Sequence, residues 1–224
     1  MKDNVLAESF RTAGREYGFD DVNAEFTAFK EFKIRWRRSR GKADFRVSDY
    51  LRGAGKDILE GVASSIFSRI AGTEKGYPQE MVDWVASDAF IRKKRPVYLR
   101  RSTTLTKTSK GVHRDLTDSY RRLTEAGLIK DDADLYLSWT TEQNIRRVGY
   151  CSILMKVIAV SSVFDNEMIP EFVLDYVVYH EYLHIAVGFD PFGRNHSQDF
   201  VDEEKKYPKR EEAEEWVKSL CLYM

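Results

Sequence analysis

The pentapeptide His180-Glu181-Tyr182-Leu183-His184 constrains this chain more than any other feature. Histidines four residues apart on a helix lie about 40° apart around its axis, so both imidazoles leave one face and can share a metal ion. Glu181 sits about 100° further round, near enough to serve water without being a ligand. The flanking residues predict the helix this requires. Pro170 suits a first turn, Gly188 suits a C-terminal stop, and Phe172, Val173, Tyr176 and Val177 form an apolar stripe. With four histidines and 18 glutamates in 224 residues, roughly one shuffled chain in two hundred would contain the motif. Two surface histidines on an amphipathic helix are the ordinary alternative.

A catalytic zinc usually takes three protein ligands and leaves one position open. The natural third ligand is His196, which follows the Gly- and Pro-containing run Gly188–Gly193 and stands just before a segment of helical pattern, Ser197–Lys206. Glu203 and Glu204 compete for the same role, because a site closed by glutamate is chemically sound. Both lie in a charged stretch that a solvated helix face would also explain. The fourth histidine, His113, stands alone in a segment expected to be a surface loop.

The remaining periodicities predict an α+β chain. A helix is expected over 4–18. A hairpin follows, with Phe32, Ile34 and Trp36 on one strand, a turn at Ser39-Arg40-Gly41-Lys42, and Phe45 and Val47 on the returning strand. Helices are expected from Ser48-Asp49 to Gly72, over Gln79–Phe90, over Asp115–Ala126 and over Glu211–Leu222. Short strands are expected at Val97–Leu99, Leu135–Thr140, Arg146–Tyr150 and Lys156–Val160. The charged run Arg92-Lys93-Lys94-Arg95 before Pro96 marks a boundary, giving an N-terminal helix, hairpin and helical region over 1–95 and a core over 96–224. Cys151 and Cys221 are too few for a disulfide framework, and Cys151 is expected to be a buried structural residue. No stretch is apolar enough to span a membrane and the first residues do not resemble a signal peptide, so a cytoplasmic protein is expected.

The segment RRVGYCSILMKVIAVSSVFDNEMIPEFVLDYVVYHEYLH, followed by Asn195-His196-Ser197-Gln198-Asp199-Phe200, resembles the catalytic core of the YgjP-like and SprT-like metallopeptidases. The resemblance extends over roughly residues 97–207 and is most specific around 170–200. It implies a zincin-like core, a small mostly antiparallel sheet packed with helices. It also implies a zinc metallopeptidase with one Zn2+ per chain on His180, His184 and His196, with Glu181 as general base. The histidine of the family's Asn-His-Ser-x-x-Phe segment is its third ligand, and this falls on His196. The chain departs from the family in three ways. Arg147-Val148-Gly149-Tyr150-Cys151 lacks the tryptophan, Tyr182 replaces a leucine, and 11 residues separate His184 from His196. Candidate oxyanion donors are Tyr150, Tyr176 and Arg147.

Basic and acidic residues balance at 36 each, which excludes a uniformly basic coat but leaves room for a patch. Between Lys30 and Arg46 eight cations stand against Glu31 and Asp44. On a strand Lys33, Arg35 and Arg37 share one face and Phe32, Ile34 and Trp36 the opposite one, as a solvated face over a core face. A different role for this face, together with Arg92–Arg95, is contact with nucleic acid, as in SprT-like proteases that act on DNA-associated proteins. A peptidase acting on a peptide or protein substrate competes with two further readings of the motif, a zinc hydrolase of a non-peptide bond and a non-catalytic metal-binding scaffold.

Overall fold

Ala43, Phe45 and Val47 alternate with Lys42, Asp44 and Arg46, and this period of two makes Lys42–Ser48 a strand with one buried and one exposed face. In the computed structural model, which describes residues 2–73, 75–189 and 196–220, that strand (β3) is the centre of a three-stranded sheet. Two compact units are present, Met1–Lys94 and Arg95–Met224.

In the first unit, helix α1 (Lys2–Glu16) precedes β1 (Asp21–Thr27), β2 (Ile34–Ser39) and β3. The expected hairpin is β2 and β3, paired antiparallel with Ser39 opposite Lys42. Strand β1, which pairs parallel with β3, is not among the elements expected from the sequence. Its alternation of Val22, Ala24 and Phe26 with polar residues is the signal that could have found it. Helix α2 (Lys56–Ala71) ends at Gly72, whose φ of 77° is the left-handed conformation that closes a helix. The core forms where Phe10 of α1 and Phe67 of α2 meet Phe45, with ring centroids 4.8 Å and 5.0 Å from it.

Two expectations about the connecting helices need correction. The segment Gln79–Phe90 is not one helix. It is α3 (Gln79–Ala86) and the start of α4 (Asp88–Arg101), divided at Ser87, whose hydroxyl accepts from the Phe90 N–H at 3.3 Å. Pro96 does not stop α4, and Val97–Leu99 is helix rather than strand. Ile91, Lys94, Tyr98 and Ser102 are buried at helical spacing, and that burial outweighs the hydrogen bond proline forgoes.

The second unit contains α5 (Leu116–Glu125), β4 (Tyr136–Trp139), β5 (Gly149–Ser152), β6 (Val157–Val160), α6 (Glu171–Val187), α7 (Gln198–Glu204) and α8 (Arg210–Ser219). Its sheet has the order β4-β6-β5. Pair β4/β6 is parallel and pair β5/β6 antiparallel. Each sheet is therefore mixed, and the expected mostly antiparallel arrangement is corrected: the chain returns to the middle of each sheet with its third strand. Helix α6 packs on this sheet with Val173, Leu174, Val177, Val178 and Tyr179 all buried. It is covered on more than the single stripe expected, because α5, α7, α8 and the sheet all pack on it.

Candidate metal centre

Helix α6 carries the H-E-x-x-H segment in its last two turns and ends at Gly188, with φ 88°. After six residues outside the described set (190–195, including Asn195 and most of the expected Gly188–Gly193 loop), His196 precedes α7. The Ser197 hydroxyl caps α7 by accepting from the Phe200 N–H at 3.3 Å. This places His196 beside the α6 histidines: one ring nitrogen from each of His180, His184 and His196 lies within 4.8 Å of the others. The three imidazoles share a floor, the buried Phe200 ring, at centroid distances of 5.2, 4.6 and 4.7 Å.

These donors fit a metal ion. Two nitrogens bound to one zinc are at most about 4 Å apart, so the group closes on an ion with small side-chain movements. Three neutral imidazoles are a donor set suited to zinc, and a carboxylate behind a ligating histidine is the usual support. Glu204 supplies that carboxylate. The His180 Nδ1–H donates to Glu204 Oε1 at 2.6 Å. Burial pulls the His180 imidazole down, but the bond to Glu204 and the charges of Glu181, Glu204 and Glu214 outweigh it and hold its pKa above the ordinary value. The same bond holds Glu204 below the usual carboxylate range.

Neither competing third ligand joins the histidine group among the described residues. Glu203 turns to Lys206 at 2.6 Å, and its backbone carbonyl accepts from the Tyr179 hydroxyl at 2.7 Å. Glu204 lies behind His180 instead of beside it in the donor set. His113 is half-exposed, with Nδ1 3.8 Å from Glu167, away from the group.

Glu181 is only 7% exposed. Its carboxylate lies against β5, so close to Gly149 that a Cβ there would stand 2.6 Å from Oε1. Burial pushes Glu181 up to about 7, opposed by the positive charge of His180 and Arg147 and by a hydrogen bond from the Cys151 thiol. Burial, then the Glu181 charge, drives the Cys151 thiol upward in turn. Cys151 is only partly buried where a buried core cysteine is expected, and it faces Glu181, which sequence reasoning missed. No sequence signal marks Gly149 or Cys151 as neighbours of Glu181, because the contact joins a strand to a helix some thirty residues away.

The oxyanion candidates separate in space. Tyr176 points its hydroxyl to Glu204 Oε1 at 3.1 Å, behind the histidines. The Arg147 guanidinium lies over the Tyr150 ring at 4.4 Å, and the Tyr150 hydroxyl is 3.4 Å from that of Thr104. The expected core face beside the basic residues is only partly covered: Phe32 and Ile34 are half-buried, with Phe32 edge-on to Phe90, while Trp36 is 38% exposed. Within β2 itself, an edge strand, only Ile34 is drawn towards the interior. Across the same sheet Lys42 pairs with Asp21 at 3.0 Å and Arg46 with Glu25 at 3.3 Å. No helix of the described residues is long and apolar enough to cross a membrane.

Comparison of the chain with protein-family models, with curated proteins and with solved structures finds no match.

Proposed function

We propose that this chain is a zinc-dependent metallopeptidase with a zincin-like core, related to the YgjP-like and SprT-like enzymes, with one zinc held by His180, His184 and His196. The observation that carries the reading is Glu181. A buried carboxylate whose hydrogen-bond donor is the neutral Cys151 thiol is unfavourable for folding in its charged form. Such a group, one residue from a histidine cluster that can hold a metal, marks a site of acid–base chemistry. A purely structural metal site has no use for it.

A bound zinc ion supplies Lewis acidity, which acidifies water and polarises a carbonyl. The protein supplies the rest. Glu181 takes a proton on its carboxylate oxygen and later delivers it to the leaving amine. The Cys151 thiol of β5 hydrogen-bonds that carboxylate, and Gly149, having no side chain, leaves the room it occupies. Phe200 supports the three imidazoles. A peptide substrate is favoured over other bonds because β5 is an edge strand that packs on α6. An extended chain can pair with such an edge and lie beside Glu181.

The test is metal content by plasma mass spectrometry with turnover of a fluorogenic peptide library. Wild type is expected to hold about one zinc per chain and to cleave, and His196→Ala to lose both. No zinc after reconstitution, or zinc without cleavage of any peptide, would overturn the reading.

A further inference from the structure

We propose that Glu204 is the positioning carboxylate of the metal centre, and that the Tyr176 hydroxyl of α6 holds it in place. This inference rests on the zinc reading above and assigns residues that the H-E-x-x-H pattern does not contain.

The geometry runs in one direction. Glu204, at the end of α7, accepts from His180 Nδ1–H at 2.6 Å. That leaves Nε2 as the nitrogen of His180 available to a metal. Tyr176 stands one turn before His180 on the same face of α6 and donates to Glu204 Oε1 at 3.1 Å. The same hydroxyl lies 3.4 Å from Glu214 Oε1. In α8, Glu214 forms an ion pair with Arg210, Nε to Oε1 2.9 Å, that lacks hydrogen-bond alignment. The Glu204 side chain is only 14% exposed, so its contacts are made largely out of water, where they are strong. An acceptor behind a ligating imidazole fixes the ring's tautomer and orientation and raises the basicity of the opposite nitrogen. Glu204 therefore acts through His180 and is not itself a ligand.

The experiment measures the zinc dissociation constant of the full chain by competition with a chromogenic chelator at one pH, for wild type, His196→Ala, Glu204→Ala and Tyr176→Phe. The melting temperature of each zinc-free protein and the His180 ring N–H resonance of each zinc-loaded one are recorded alongside. Glu204→Ala is expected to weaken zinc binding about 10- to 100-fold and to move the Nδ1–H resonance, with the zinc-free protein still folded. Tyr176→Phe keeps the carboxylate and is expected to weaken binding about 2- to 10-fold. A folded Glu204→Ala that binds zinc like wild type with an unmoved resonance overturns the proposal. If Glu204→Ala does not fold, unchanged affinity in Tyr176→Phe overturns it. A wild type that binds no zinc overturns the zinc reading itself, whereas zinc lost in His196→Ala but indifferent to Glu204 and Tyr176 overturns only this inference.

Discussion

The two sheets of this protein share one wiring and differ in what covers them. In β1-β3-β2 and in β4-β6-β5 the third strand enters the middle, parallel to the first and antiparallel to the second. Yet β3 alternates buried and exposed residues, while all four residues of β6 are buried. An open face tolerates charge, so the first sheet carries Asp21–Lys42 and Glu25–Arg46 pairs in water. Helix α6 covers the second sheet, and Glu181, buried between that helix and β5, is shifted far from its ordinary pKa because burial penalises its charge. The same topology thus makes a solvated surface in one unit and a chemical environment in the other.

The sharpest test of this contrast is Glu181→Gln. Peptide turnover is expected to fall by about 10²- to 10⁴-fold with zinc content unchanged. Since a buried charge is removed, the melting temperature should hold or rise. Equal turnover in mutant and wild type would sink the mechanism. Next comes Gly149→Ala, whose added Cβ displaces the Glu181 carboxylate. A loss on the order of 10²-fold in kcat is expected with zinc retained, read by steady-state kinetics beside metal analysis.

Stability measurements extend the comparison to the strands. Ile158→Ala in the fully buried central strand β6 should lower unfolding free energy by about 2–5 kcal/mol in urea titrations. A smaller loss there would mean that β6 is less tightly packed than its burial implies.

A pH effect of smaller size belongs to Asp165. Burial raises its pKa, but N–H groups of Val112, His113 and Arg114 at 2.6, 2.8 and 2.9 Å outweigh burial and leave it below the ordinary value. A lowered folded pKa means that the stabilisation is complete above the unfolded value of about 3.9 and is lost as pH falls through the folded one. Asp165→Asn should therefore cost about 1–2 kcal/mol at neutral pH, and that difference should shrink in acid. A mutant equally destabilised at both pH values would refute the linkage. The smallest effect is expected for Arg46→Ala on the open face of the first sheet, within about 0.5 kcal/mol, because its partner Glu25 is solvated too.

The elements legible in the sequence are those whose signal is local. The α6 histidines share a face because helical spacing requires it, and the β2–β3 hairpin follows from apolar runs flanking Arg40-Gly41. Where a local signal conflicts with burial, burial wins. Pro96 suggests a stop in α4, but Ile91, Lys94 and Tyr98 are buried at helical spacing through it. Glu204 is legible only as a competing ligand, because its role depends on how α7 folds back against α6.

By itself the sequence determined the residues able to hold a metal, the helix that presents two of them, and the carboxylate between them. Each follows from rotation per residue along one segment. Tertiary structure decided between His196 and the competing Glu203 and Glu204, and it alone placed Glu204 behind His180 and Gly149 and Cys151 beside Glu181. Parallel pairing in each sheet belongs with these. The reason is that such contacts join segments far apart in sequence, where partners are chosen by packing and by the hydrogen bonds that burial demands.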